Sequence, residues 1–432
     1  MNNIFNRRDF VKSSGALSLL GTAALGGIPG CASVGGVAKP KVVVVGGGFG
    51  GATAAKYIAM WSDGKIDVTL VERDAQFVSC PMSNLVLGGS KSIADISVAY
   101  DGLNKYGIKR IKGEATGFDP DKRTLALADG TTLAYDRLVL SPGIDFMLES
   151  LPGLATPGAR SKVLAAWKAG PETSALRNQL VAMKDGGVYA IHIPKAPYRC
   201  PPGPYERACQ VAWYFQQAKP KSKVVILDAN EDVTSKKGLF TKAWNGQFKG
   251  LVEYRNNQEI QDVDAANNTL KMTFGEDFKA DVLNVLPPMR AGNIAASNGL
   301  NNANKRWCNV DWLTYESTAV KNVHILGDAL QIAPAMPKSG HMANQHGKVA
   351  AAAIVALLTG DTVNETPMVA NTCYSFIDDK NVVHVASVHR YYAAQKTMVA
   401  IAGSGGLSPD ANALEGVYAN SWARNIWADM LT

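Results

Sequence analysis

Three glycines spaced as G-x-G-x-x-G, namely Gly46, Gly48 and Gly51, follow four consecutive valines, Val42 to Val45. A β-branched run of that kind reads as a buried parallel strand, and the glycines as the turn into a helix beginning near Ala52. Gly46 permits the tight turn, Gly48 lets the backbone approach a pyrophosphate, and Gly51 lets helix and strand pack closely. The phosphates would meet the N-terminus of that helix, where unpaired N–H groups and the helix dipole favour an anion. A second apolar strand, Val68 to Val71, ends in Glu72 with Arg73 beside it. A carboxylate there is placed to accept hydrogen bonds from an unphosphorylated adenosine ribose, as in FAD or NAD.

Cysteines form the second set of candidates. Cys80 lies in the segment Phe77 to Asn84, after the second strand, where the chain of a flavin fold passes near the isoalloxazine edge. Read from the residues alone, it is equally a small buried hydrophobe. Cys200 is displayed by a proline-rich loop, Pro194 to Arg207, and Glu206 follows six residues later. Glu206 is a candidate acid or base, with a surface salt bridge as the alternative. Gly327 and Asp328 end an apolar strand starting at Val323. Asp328 would accept hydrogen bonds from the ribityl or phosphate region of a flavin, or would cap a helix. No cysteine–histidine cluster has the spacing of a metal site, and no Cys-x-x-Cys-His occurs, so no haem is expected in this chain.

The elements that must position these residues follow the chain. With 432 residues, nearly half of them apolar, there is enough chain for two or three cores. The net charge of +7 includes no basic block long enough to suggest nucleic acid. The first 31 residues read as a twin-arginine export signal, with Arg7 and Arg8 ahead of a weakly apolar, glycine-rich segment, and the destination would be the periplasm. Cys31 would tether the protein to a membrane only if lipidated. Proline at position 29 departs from the lipoprotein pattern, and simple cleavage is preferred. Short strands at 113–119, 124–127 and 131–135 precede a strand returning to the first sheet and ending at Pro142 and Gly143.

A second dinucleotide-type domain would start with the strand from Gly187 to Ile193, and Lys223 to Asp228 keeps its rhythm. No second glycine fingerprint follows. Prolines, which lack N–H donors, stand where a pyrophosphate would be cradled, so a nicotinamide site is not expected. Lys338 to His346 would open an alanine-rich helix aimed at the cofactor. In the tail, Tyr418, Trp422, Ile426 and Met430 fall four apart on one helical face, a core stripe or a contact surface. The expected fold class is α/β: two Rossmann-like dinucleotide-binding domains, the second without a usable NAD site, and a C-terminal α+β interface domain. The expected boundaries are 40–150 with 283–360 for a discontinuous FAD-binding domain, 151–282 for the second domain and 361–432 for the third.

Taken together, Cys80, the loop from Cys200 to Glu206, Gly327 with Asp328, and Cys373 within Asn371 to Tyr374 make the chain resemble the flavoprotein subunit of flavocytochrome c sulfide dehydrogenase along essentially its whole length. The resemblance implies FAD held covalently through a thioether from Cys80. It also implies a redox-active disulfide between Cys200 and Cys373. Hydrosulfide would open that disulfide, leaving a persulfide on one cysteine and a thiolate on the other, and the electron pair would pass to FAD. A separate c-type cytochrome subunit, in a heterodimer, would take the electrons one at a time, and polysulfide or sulfur would leave. Cys209 and Cys308 stay unassigned, and a pairing of Cys200 with Cys209 remains open at this stage. Two other readings compete: a sulfide:quinone oxidoreductase on the same fold, and a non-catalytic FAD-binding electron-transfer partner.

Overall fold

The computed structural model describes residues 38–432; the expected export signal and Cys31 lie outside the described residues. Its central element is a five-stranded parallel sheet ordered Val323–Ile325, Arg137–Leu140, Lys41–Val45, Asp67–Glu72, Lys109–Lys112. Val42 to Val45 are buried in the middle of this sheet, as a continuous β-branched run requires when both faces are covered. The helix after the glycine turn spans Phe49–Trp61. At Gly46 the backbone is left-handed, with φ +96°, and a Cβ at Gly51 would fall 1.9 Å from the Gly46 carbonyl oxygen. The two positions therefore admit only glycine, one for its dihedral and one for close approach.

A second parallel sheet is ordered Val252–Arg255, Lys223–Asp228, Val188–Ile193, Val282–Val285. The expected strands at 187–193 and 223–228 are thus present, the first beginning one residue late. One expected boundary is corrected. The chain does not return to the first domain at 283, because Val282–Val285 pairs in parallel with Tyr189 to His192 and closes the second sheet. Its apolar residues are buried there, a demand that a strand of either sheet would make on the sequence. Asp228, at the end of its strand, is fully buried. Its carboxylate accepts hydrogen bonds from Tyr205 Oη at 2.7 Å, Tyr254 Oη at 3.2 Å and Asn230 Nδ2 at 2.7 Å. An acid so engaged by its own domain has no lone pair directed at a ribose.

The C-terminal unit is antiparallel, Met368–Phe376 with Val382–Tyr392 and Thr397–Ala400, backed by the helix Ala413–Leu431. The tail stripe divides along that helix: Ile426 and Met430 are buried, while Tyr418 is half exposed. Helix Gly340–Thr359 starts at the predicted place, with Ser339 Oγ accepting from Met342 N at 3.0 Å as its cap. No helix among the described residues is long and apolar enough to cross a membrane.

The close approach at the glycine turn makes a direct prediction. Gly51→Ala should lower stability by about 2–3 kcal/mol, because the obstructing atom is backbone and cannot rotate away. A lowered urea midpoint, together with less flavin in the purified protein, is the expected measurement.

Candidate functional site

A cavity of about 560 Å³ is lined by residues of the first parallel sheet, of the C-terminal antiparallel sheet, and of the loop and helix that follow Ile193 in the second parallel sheet. Of the residues singled out in the sequence, Gly46, Gly48, Glu72, Arg73, Cys80, Cys200, Glu206, Gly327, Asp328 and Cys373 all line it. Gly51 does not; it sits behind the turn, where its role is packing.

One end is built for a dinucleotide. Nothing lies within 4 Å of a Cβ built at Gly48, so the backbone there is open to a close-approaching phosphate. Glu72 is oriented by its neighbours: Oε2 accepts from Gly47 N at 2.5 Å and Oε1 from Asp74 N at 2.8 Å. Lone pairs remain on both oxygens for ribose hydroxyls. Arg73 is more than half exposed, in long ion pairs with Asp74 and Glu114, and lies at the rim. Asp328 does not cap a helix. It sits partly buried in the Gly327–Ala329 turn, and burial pushes its carboxyl pKa up. Its Oδ1 is buried with no hydrogen-bond partner among the described residues, and the residue lines the cavity. An orphaned buried acceptor beside a glycine cradle fits a polar cofactor chain carrying hydroxyls, and the residues present therefore fit FAD.

The other end holds sulfur. Cys200 sits at φ +58°, with its N–H donating to the Lys338 carbonyl at 2.9 Å and its carbonyl accepting from Gly203 N at 2.9 Å. A side-chain-bearing residue in that region stores about 1–3 kcal/mol of strain, here held by hydrogen bonds on both sides. The turn leads into the helix Gly203–Ala218, whose first turn carries Glu206. Glu206 is buried: Oε2 accepts from Asn84 Nδ2 at 2.9 Å, and Oε1 accepts from Phe376 N at 2.8 Å. It is not a surface ion pair. Burial raises its pKa, against the pull of those two donors.

Cys373 lies three residues before Phe376 on the same strand, and Asn371 Nδ2 donates to its sulfur at 3.3 Å. Burial pushes the Cys200 thiol up to about 12, reinforced by the neighbouring Cys373 and Glu206. Both cysteines are free thiols here, as are Cys80, Cys209 and Cys308. Cys209 and Cys308 are fully buried core thiols outside the cavity, which separates them from the Cys200 and Cys373 pair. Cys80 Sγ receives Arg199 Nη1 at 3.2 Å and faces Ala169 N at 3.5 Å. No group of three or more potential metal ligands occurs among the described residues.

With this geometry in hand, three family models match the chain. Residues 40–182 match pyridine nucleotide-disulphide oxidoreductase. Residues 173–287 match the central region of the sulfide dehydrogenase (flavocytochrome c) flavoprotein chain, and 365–431 the flavin-binding region of flavocytochrome c sulphide dehydrogenase. A 46-residue stretch is 61% identical to the sulfide dehydrogenase (flavocytochrome c) flavoprotein chain of Chlorobaculum thiosulfatiphilum, covering 11% of this chain and 94% of that sequence. The chain belongs to the flavocytochrome c sulfide dehydrogenase flavoprotein family.

Members of the wider fold are also similar to it. A mitochondrial sulfide:quinone oxidoreductase of Dictyostelium discoideum is 24% identical over 297 residues, which is 67% of this chain and 65% of that relative's length. The solved sulfide:quinone oxidoreductase of Aquifex aeolicus superposes with a TM-score of 0.70 at 17% identity, covering 90% of this chain and 91% of that one. At that identity the likeness establishes the fold alone.

For this flavocytochrome c sulfide dehydrogenase family member, reading the sequence missed several residues that complete the site. Arg199 adjoins Cys200, and Asn371 stands two before Cys373, so proximity in sequence was the available signal for both. Asn84 gave none, because it arrives from another element. Gly203 was passed over as a helix start. A Cβ there would lie 2.7 Å from Trp167 Cη2 and 2.9 Å from Cys200 Sγ. Gly203→Ala should therefore displace the sulfur without touching the dinucleotide end. The expected result is normal flavin content with sulfur reactivity reduced about 10- to 100-fold, measured as the rate of Cys200 alkylation.

Proposed function

We propose that this protein oxidises hydrosulfide through a Cys200–Cys373 disulfide, with FAD as the two-electron acceptor and a c-type cytochrome subunit as the onward acceptor. The observation that carries the reading is the convergence of Cys200, Cys373 and Glu206 with the dinucleotide cradle in one cavity. Bound there, FAD would take an electron pair and release it as single electrons, as a haem acceptor requires. The residues that would hold it are the glycine turn, Glu72 and Asp328, with Cys80 as a thioether anchor.

Hydrosulfide attacks one sulfur of the bridge. The S–S bond breaks, a persulfide forms on the attacked cysteine, and the other leaves as a thiolate. Two-electron oxidation of that persulfide–thiolate pair closes a bridge longer by one sulfur, releasing one proton and the electron pair. Further hydrosulfide removes the accumulated sulfur as polysulfide. Glu206, within the same buried cluster, is the group that takes up and returns the proton. Its raised pKa places that exchange nearer neutrality than an ordinary glutamate would. Arg199 orients Cys80 through the contact to its sulfur.

The paired arginines at 7 and 8 support export by the twin-arginine route to the periplasm. A quinone acceptor is the second reading, favoured by the likeness to the Dictyostelium sulfide:quinone oxidoreductase. Full-length protein supplied with sulfide anaerobically, and then with either a c-type cytochrome or a soluble quinone, separates the two by which acceptor is reduced.

Replacement of either sulfur decides the main claim. Cys200→Ser and Cys373→Ser should each abolish sulfide-dependent bleaching of the flavin, a loss of at least about 1,000-fold, with FAD still bound. Bleaching that survives in both would end the assignment. Glu206→Gln should slow bleaching and remove the acidic limb of its pH profile, because the charged carboxylate that accumulates as pH rises is then missing. Acid precipitation should carry the flavin down with the wild type and release it from Cys80→Ser.

A further inference from the structure

Lys236 is a buried cation with no carboxylate in contact. The residue is 5% exposed. Its Nζ ends among three neutral oxygens, donating to the Cys373 carbonyl at 2.6 Å, Ser375 Oγ at 2.8 Å and the Val383 carbonyl at 3.4 Å. Its backbone is left-handed, with φ +55°, at the entrance to the helix Lys237–Asn245. Glycine or asparagine adopts that conformation at less cost. Burial of an ammonium is unfavourable unless an anion answers it. Both costs are borne by one lysine that reaches from the second sheet's connections to the strand carrying Cys373.

Four groups that can carry negative charge stand near it: Cys373, Glu206, Cys200 and Glu415. Glu415 is engaged by Ser408 Oγ at 2.6 Å and His384 Nδ1 at 2.9 Å. Glu206 is engaged by Asn84 and Phe376. The sulfurs remain. Burial pulls the ammonium down to about 8, so at neutral pH it still holds its proton.

We propose that Lys236 is a positioning residue for the sulfur chemistry, its ammonium fixed to the backbone of Cys373 as the counter-charge of the thiolate that appears when the Cys200–Cys373 bridge opens. This inference rests on the function proposed above. Hydrosulfide carries one negative charge into the cavity, the S–S bond breaks heterolytically, and that charge ends on the departing sulfur. No proton need move in this step. A lower effective thiolate pKa makes that sulfur the better leaving group.

The test reads thiolate stability without using sulfide. Full-length flavin-loaded protein, reduced to the dithiol under anaerobic conditions, is alkylated with iodoacetamide between about pH 7 and pH 11, and Cys200 and Cys373 are followed separately by peptide mass. Lys236→Gln keeps a donor for the Cys373 carbonyl but carries no charge. The midpoint of the faster thiol should rise by about one unit in this variant, slowing its alkylation at pH 7 about tenfold, while Lys236→Arg keeps the wild-type midpoint. An unchanged midpoint in Lys236→Gln, with Tm and flavin content preserved, overturns the proposal.

Should Lys236→Gln fail to fold, the rate of bleaching per hydrosulfide decides. It should fall above about pH 8 in the wild type, as the ammonium loses its proton, and stay level in Lys236→Arg. Identical profiles overturn the proposal. If the cysteine-to-serine variants still bleach, the proposed function fails whatever the alkylation midpoints show, so the two failures are distinguishable.

Discussion

Glu206 accepts hydrogen bonds from two directions inside the protein, from Asn84 in the short helix Ser83–Gly88 and from the Phe376 backbone 170 residues further along the chain. The helix bearing Glu206 begins at the turn that displays Cys200, and Phe376 ends the strand that displays Cys373. One buried carboxylate therefore ties together the two segments that carry Cys200 and Cys373. Removing a partner from such a group leaves a desolvated charge, which costs far more than an exposed pair would return. The placement of both cysteines thus depends on a group that is also part of their electrostatic surroundings.

The rest of the site continues this economy of charge. Arg207 is enclosed with its guanidinium on the carbonyls of Ala165 and Ala166 and the side chains of Asn84 and Asn284. Lys338 lies over the Trp307 ring at 3.6 Å and donates to the Asp328 carbonyl, and burial draws its ammonium down to about 7. These cations are held by neutral dipoles in place of contact ion pairs. A low-dielectric surround makes each of them act over longer range on whatever anion enters. The chemistry proposed for the cavity brings two kinds of anion, phosphate at one end and thiolate at the other.

The dinucleotide end was legible in the sequence because its determinants are local. Gly46, Gly48, Gly51 and Glu72 sit within one βαβ unit, and each obeys a rule of sterics or hydrogen bonding that a short window reveals. Several strands could be read for the same reason, the 223–228 strand to the residue. The boundary at 283 could not, since an apolar run says that a strand is buried without saying which sheet it joins. Glu206 and Asp328 were identified as residues, but their surroundings were not: one is a clamp where a surface pair was an alternative, the other an unpartnered acceptor where a cap was. The convergence of Cys200 and Cys373 on one cavity, and the arrival of Lys236 and Asn84, are tertiary events that no periodicity encodes. A resemblance supplied the first of these, and only the fold supplied the others.

The second parallel sheet keeps the shape of a coenzyme-binding unit while Asp228 is occupied by Tyr205, Tyr254 and Asn230. Tyr205 belongs to the helix that starts beside Cys200, and its hydroxyl also accepts from the Thr234 backbone two residues before Lys236. These contacts make the strand end an internal brace. A coenzyme that comes and goes requires a domain able to yield around it; a brace requires the opposite. The end of that strand is closed by its own domain, and through Tyr205 the turn that carries Cys200 is mounted on that closure.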